Sequence, residues 1–178
     1  SPIGSVFELG AETNNDRRSP APVIFELPPP TDLQVARVDV PAAARSGEPV
    51  SVSWTVTNAS LTEAASGQWS DTLYLSADAT WDIHDVPLGR GSFSGTLLRG
   101  EEYTLTLNTL LPPAAPGTYR VIVRTDIFNQ VYEREFDANN QRASAEAIQV
   151  TVDELQLGVP HATTLSTGQT RLFQVAVP

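Results

Sequence analysis

The chain contains no cysteine, no lysine and only two histidines. Without cysteine there is no disulfide and no thiolate metal site, so each folded unit must be stabilised by other means. All 11 bases are arginines, set against 21 carboxylates for a net charge of −10. That balance speaks against nucleic acid or anionic lipid as partners, because both demand a basic patch, and the only arginine doublet is Arg17-Arg18. An acidic excess suits divalent cations instead. No apolar run approaches the roughly 18 residues of a membrane span. No signal peptide opens the sequence, so the signal of an exported protein is expected upstream. Catalytic parts are missing too. There is no Gly-x-Ser-x-Gly elbow, His84 sits in an acidic loop, and His161 directly follows Pro160. Neighbouring carboxylates have no evident sugar cleft in which to act as a glycosidase pair. The chain reads as a non-enzyme.

What the sequence does have is an echo of itself. Val6-Phe7-Glu8 matches Val131-Tyr132-Glu133, Asn14-Asn15 matches Asn139-Asn140, Arg17 matches Arg142 and Ser19 matches Ser144, all at an offset of 125 residues. Glu12 lies over Asp137, so an acid is kept there as well. A repeat of domain length is the mark of a modular array. The expected division is the end of one module in residues 1–27, a proline-rich joint at 28–31, a complete module at 32–152 and the start of another at 153–178. The triple proline Pro28-Pro29-Pro30 favours stiff polyproline II and a short spacer. The second joint, Thr151–Leu155, has no proline, so one strand is expected to run almost directly into the next.

Within the complete module the hydrophobic period is two. Val50, Val52, Trp54 and Val56 alternate with Ser51, Ser53, Thr55 and Thr57, which predicts a strand with one buried and one wet face. The same alternation runs through Tyr103–Leu107, Tyr119–Arg124 and Ile148–Val152. Further strands are expected at Leu33–Val40 and Thr72–Ser76, with a short one at Val86–Leu88. Single helical turns fit Ser60–Ser66 and Glu135–Asn139. About seven strands between turn-rich loops predict an all-β fold, an immunoglobulin-like antiparallel β-sandwich. Trp54, in phase with its valines, is expected in the core. Trp69 is expected just ahead of a strand, covering the core edge. Tyr119, after Gly117, resembles a tyrosine-corner position.

These motifs also carry a family resemblance. Asp32-Leu33-Gln34-Val35, then Ser46–Asn58 (SGEPVSVSWTVTN), Trp69–Asp78 (WSDTLYLSAD), Asp85–Gly89 (DVPLG) and Gly117-Thr118-Tyr119 follow one another in order. Asp126, Asn129, Val131, Glu133 and Asn139-Asn140 complete the set. Together they resemble the CARDB family, the cell adhesion related domain found in bacteria, across nearly all of residues 31–152. The resemblance implies an Ig-like sandwich repeated in large secreted or surface-anchored bacterial proteins. The tail, with Gly158-Val159-Pro160 and then Ser166–Pro178, is similar to the start of a bacterial pre-peptidase C-terminal domain. A further CARDB copy is the rival reading, since Glu154-Leu155-Gln156-Leu157 resembles Asp32-Leu33-Gln34-Val35.

Two clusters are candidate sites. The loop Asp78–Asp85 places three carboxylates, Asp78, Asp82 and Asp85, within eight residues, and the nearest base is Arg90. Solvent or a cation must relieve their repulsion, and calcium accepts the oxygens such a loop offers. The spacing is not that of an EF-hand. A solvated turn, with Asp78 capping local amides, is the other reading. The second cluster is Asp126, Asn129, Glu133, Asp137, Asn139 and Asn140. Its core recurs in the first 27 residues as Glu8, Glu12, Asn14 and Asn15, which favours a structural corner shaped by asparagine, with calcium as the alternative. Trp81, at the tip of the acidic loop, either stacks on a sugar or folds back over its own loop.

The function expected is a non-catalytic structural or adhesion repeat of a large extracellular bacterial protein, spacing functional domains and open to stabilisation by calcium. The alternatives are a carbohydrate- or matrix-binding module and an accessory domain of a secreted peptidase. Partners are neighbouring modules of the same chain, adjacent chains, or a host or matrix ligand. Neither nucleic acid nor membrane insertion is expected. Val6, Phe7, Val23, Ile24, Phe25, Leu165, Leu172, Phe173 and Val175 are expected to need apolar partners, from the rest of the parent protein or from neighbouring chains.

Overall fold

The computed structural model describes residues 17–167 and 169–177. Val6, Phe7, Glu8, Glu12, Asn14 and Asn15, the amino-terminal half of the repeat, lie outside the described residues. The described chain is all-β, with β1 Leu33–Asp39, β2 Ala43–Arg45, β3 Pro49–Asn58, β4 Ala65–Ser76, β5 Val86–Leu97 and β6 Glu102–Leu110. It continues with β7 Gly117–Arg124, β8 Gln141–Ala143, β9 Ile148–Thr151, β10 Asp153–Leu155 and β11 Phe173–Val175. A 3-10 helix spans Arg134–Asn139.

Two sheets face each other. The first has the order β1-β3-β6; the second runs β2-β9-β7-β4-β5, with β8 following β9 along the same edge of β7. Strand β3 behaves as its alternation requires. Val50, Val52, Trp54 and Val56 are buried, while the outward Thr55 hydroxyl meets that of Thr104 across the β3–β6 ladder at 2.8 Å. Opposing them from the second sheet are Trp69, Leu73, Leu75, Val121, Val123, Ile148 and Val150, all in one core cluster. Burial of these apolar side chains, each contributing roughly 1.5–3 kcal/mol, replaces the disulfide that the composition rules out.

Three expectations need correction. The strand expected at Thr72–Ser76 begins at Ala65, so Trp69 lies within it and is fully buried rather than at the core edge. The strand expected at Val86–Leu88 extends to Leu97. Its apolar alternation is interrupted by Gly89, Gly91 and Gly95, so hydrophobic period gave no signal. The glycines answer a steric demand. A Cβ at Gly91 would lie 2.6 Å from the ring of Trp54, so the second sheet can approach that indole only without a side chain there. The single turn expected at Ser60–Ser66 is absent; the segment is bends and the start of β4. Asn58 replaces the helix by donating to the carbonyls of Glu63 and Leu97. The turn expected at Glu135–Asn139 is the 3-10 helix.

A polar junction joins the sheets at the core. Asp71 on β4 has no exposed surface. Its Oδ2 accepts hydrogen bonds from Trp54 Nε1 at 2.7 Å and from the Tyr103 hydroxyl at 2.7 Å, both on the facing sheet. Its Oδ1 accepts from the Thr125 hydroxyl at 2.6 Å. Trp69 Nε1 donates in turn to the Tyr103 hydroxyl at 2.9 Å. Burial, and secondarily the Asp71 carboxylate, push the Tyr103 phenol well above its usual range, so it stays a neutral donor. Tyr119 forms the expected corner, its hydroxyl donating to the Ala115 carbonyl at 3.1 Å.

Val152 alone separates β9 from β10, and β10 pairs in parallel with β11. The exposed apolar side chains Val23, Ile24, Phe25, Leu165, Leu172 and Val175 are those expected to need partners.

Candidate functional site

The acidic loop Asp78–Asp85 is built from local turns. Asp78 Oδ1 accepts from the Thr80 amide at 2.7 Å, Asp82 Oδ1 from the His84 amide at 2.7 Å, and Asp85 Oδ2 from the Asp82 amide at 3.0 Å. The His84 amide, helped by the His84 ring, holds the Asp82 carboxyl below the usual carboxylate range. Asp82 and Asp85 belong to one turn and Asp78 to another. Each carboxylate serves the backbone beside it. Among the described residues, no three His, Cys, Asp or Glu side chains converge to hold a metal ion.

Trp81 folds back from the tip of that loop. The Arg124 guanidinium lies 4.0 Å from its ring centre, and Tyr74 meets it edge-on at 5.9 Å. A cation–π contact of this kind occupies the ring face a sugar would use. The carbohydrate-binding alternative loses its structural support here.

The second cluster is a constructed corner. It begins where β7 ends, and Asp126 and Asn129 there adopt left-handed φ of 43° and 49°, a conformation that short polar side chains tolerate best. Asp126 is buried. Its two oxygens accept the amides of Gln130 at 2.9 Å and Val131 at 2.8 Å, closing the loop upon itself. Glu133 is almost completely buried. One of its oxygens accepts from the Leu33 amide at the start of β1, the other from Asn140 Nδ2. Burial pushes the Glu133 carboxyl up to about 7, with smaller contributions from the charges of Asp126 and Asp137. Asp126 is raised as well, first by burial, with Asp137 and Asp71 adding to it.

The six residues of this cluster divide in three ways. Asp126, Asn129, Asp137 and Asn140 line one cavity of about 230 Å³, together with Arg124, Thr125 and others. Glu133 stands behind Asn140. Asn139 turns toward the joint, its Nδ2 donating to Asp32 Oδ1 at 3.0 Å. The joint is bound to the same corner by Thr31, whose amide donates to the Tyr132 carbonyl at 3.1 Å. The repeated Asn-Asn pair thus has two tasks, Asn140 donating to Glu133 and Asn139 to Asp32. The acidic loop and the corner depart from the second sheet at different points, although Trp81 folds back onto Arg124 on the cavity wall. Ser76, where the loop departs, pairs with Arg120, whereas the corner departs from Arg124, opposite Thr72.

At the far end, Arg171 holds the tail to the sandwich. Its guanidinium pairs with Glu48 and reaches Asp153 at 3.6 Å, while Gln169 Nε2 donates to the Gly47 carbonyl at 3.1 Å. Sequence reasoning missed this clasp and the Asp71 junction. The junction had one readable signal: Asp71 falls in phase with Trp69, Leu73 and Leu75, a carboxylate at an inward position of a buried strand.

The family model that matches the sequence is CARDB, over residues 30–145. The search among curated proteins found no match. Among solved structures, the chain is similar to the CARDB domain of a Pyrococcus furiosus protein, described as in complex with di-metal ions. That match has 19% identity and a TM-score of 0.49, covering 76% of this chain and 99% of that one. It is also similar to part of a β-glucosidase from Listeria innocua, at 21% identity and a TM-score of 0.42, covering 67% of this chain and 16% of the enzyme. Identities this low transfer no residue role.

Proposed function

Because the chain belongs to the CARDB family over residues 30–145, an adhesion-related and non-catalytic domain family, we propose that it is a structural spacer repeat of a large extracellular bacterial protein. In this reading residues 32–152 are one module of a tandem array, residues 1–27 close the preceding one, and residues 153–178 open the next. Its partners are the neighbouring modules. Its task is to hold functional domains at a set distance and orientation, with calcium as a stabilising ion.

The observation that carries the reading is that both joints are fastened to the sandwich. At the amino-terminal joint, Thr31 is bonded to Tyr132, and directly after it the module's own Asp32 and Leu33 are bonded to Asn139 and Glu133. At the carboxy-terminal joint, Arg171 and Gln169 bind Glu48, Asp153 and Gly47. A tether that only linked modules would gain nothing from such bonds, whereas a spacer depends on them to fix direction.

The cysteine-free sequence makes a direct test convenient. Spin labels on S94C in β5 and Q174C in β11 report the distance between sandwich and tail by pulsed electron resonance. A single narrow distribution is expected, broadening when Arg171→Ala is added. A broad distribution in the unaltered background would sink the spacer reading at this joint.

A further inference from the structure

The corner cavity holds an imbalance that the structural role of its residues leaves unresolved. Asp126 and Asp137 both line it. The Asp137 side chain, on the 3-10 helix, has neither a hydrogen bond nor an ion pair among the described residues. The one base on the wall, Arg124, has its guanidinium over the face of Trp81. Arg134, next along the 3-10 helix, pairs with Glu135 at 3.5 Å.

A second, independent observation concerns Asn140. It is 7% exposed, it lines the same cavity, and its Oδ1 has no hydrogen-bond partner. A buried acceptor left unpaired costs about 1–3 kcal/mol. Turning the amide over would not relieve it. While Glu133 is ionised it needs a donor, which Nδ2 supplies, so the ionised carboxylate fixes the amide with its oxygen on the other side. Asn140 thus brings an unpaired amide oxygen to a cavity whose lining also includes Asp126 and Asp137.

We propose that this corner is a divalent-cation site of calcium type, with Asp126, Asp137 and Asn140 Oδ1 as protein ligands and Glu133 as the positioning residue behind Asn140. Calcium takes about six to eight oxygens at flexible geometry from carboxylates, amide and backbone carbonyls and water. Asp126 keeps lone pairs free after accepting its two amides, and Asn129 stands on the same wall. Hydrogen bonding of a ligand from behind, as Glu133 does to Asn140, is the usual way a metal site fixes orientation. The ion would neutralise the Asp126–Asp137 pair and give the orphaned oxygen a partner, so it would bind the folded form and stabilise it. The site is distinct from the Asp78–Asp85 loop, whose carboxylates are engaged by their own backbone. It rests on the calcium part of the proposed function and not on the spacer part, which the spin-label distance tests by itself.

The test is calorimetric titration of calcium chloride into the chelator-stripped 178-residue chain, with thermal midpoints measured in parallel. Asp137 is exposed, so Asp137→Asn should fold; Asp82→Asn serves as the control in the acidic loop. Saturable binding and a raised midpoint are expected for the parent chain. Affinity should fall about tenfold or more in Asp137→Asn and stay within about twofold in Asp82→Asn. No binding heat together with no midpoint shift in the parent chain overturns the proposal. So does unchanged affinity in Asp137→Asn, or a loss confined to Asp82→Asn.

Discussion

Asp71 and Glu133 are the two most deeply buried acidic side chains among the described residues, and they are accommodated in opposite ways. Asp71 sits between the sheets and receives full-strength hydrogen bonds from Trp54, Tyr103 and Thr125. Glu133 sits at the corner with the Leu33 amide and Asn140 as donors, and with Asp126 and Asp137 as like-charged neighbours. A buried charge is tolerated in proportion to the donors aimed at it and suffers from like charges nearby. Asp71 therefore works as a fixed bolt between layers. Glu133 works as an adjustable one, because its proton affinity lies within the physiological range.

The comparison is broken most directly at Asp71. Asp71→Ala strands the indole of Trp54, the phenol of Tyr103 and the hydroxyl of Thr125 in the core, and should cost on the order of 4 kcal/mol in urea unfolding. A cost under about 1 kcal/mol would mean that the junction is decoration. Gly91→Ala presses on the same junction from behind, since the new methyl group meets the Trp54 ring. It should destabilise by about 2–3 kcal/mol, with a shift in tryptophan fluorescence that reports the displaced indole.

At the corner, pH is the sharper instrument. Glu133 has its folded value raised from 4.5 to about 7, so the folded form binds the proton more tightly than the unfolded one. Its contribution is therefore full below about 4.5 and is lost as the pH rises through about 7. In the presence of chelator, the parent chain should lose on the order of 2 kcal/mol across that window relative to Glu133→Gln. Parallel stability curves for the two proteins would refute the assignment. The smallest effect is expected at the joint. Asn139→Ala removes the bond to Asp32 and should cost about 1 kcal/mol or less, visible as faster amide exchange at Thr31 and Leu33.

Much of this was readable beforehand, for identifiable reasons. Alternation declared β3 because its outer face is serine and threonine and its inner face valine and tryptophan. The same rule failed on β5, where the inward positions are emptied to admit Trp54 and Leu107 from the other sheet. A strand defined by what its neighbours need leaves no period of its own. The corner residues were legible as a cluster because the sequence repeats them, and Asn129 takes the left-handed backbone expected of asparagine there. Their division of labour was not legible. It depends on Leu33 and Asp32, about a hundred residues earlier, arriving at the same place. The Arg171 clasp was hidden for the same reason, since nothing local marks Glu48 as its partner.

The short pairing of β2 with β9 has a mechanical meaning. These strands run parallel, Ala43–Arg45 beside Gln149–Thr151, and β9 passes through a single residue into the strand that leaves the sandwich. Tension applied along the chain would draw β9 outward past β2 and load their hydrogen bonds side by side, all at once, rather than peeling them open in sequence. A link arranged this way yields late and abruptly, the behaviour wanted of a strut that must keep its length while the two ends are pulled apart.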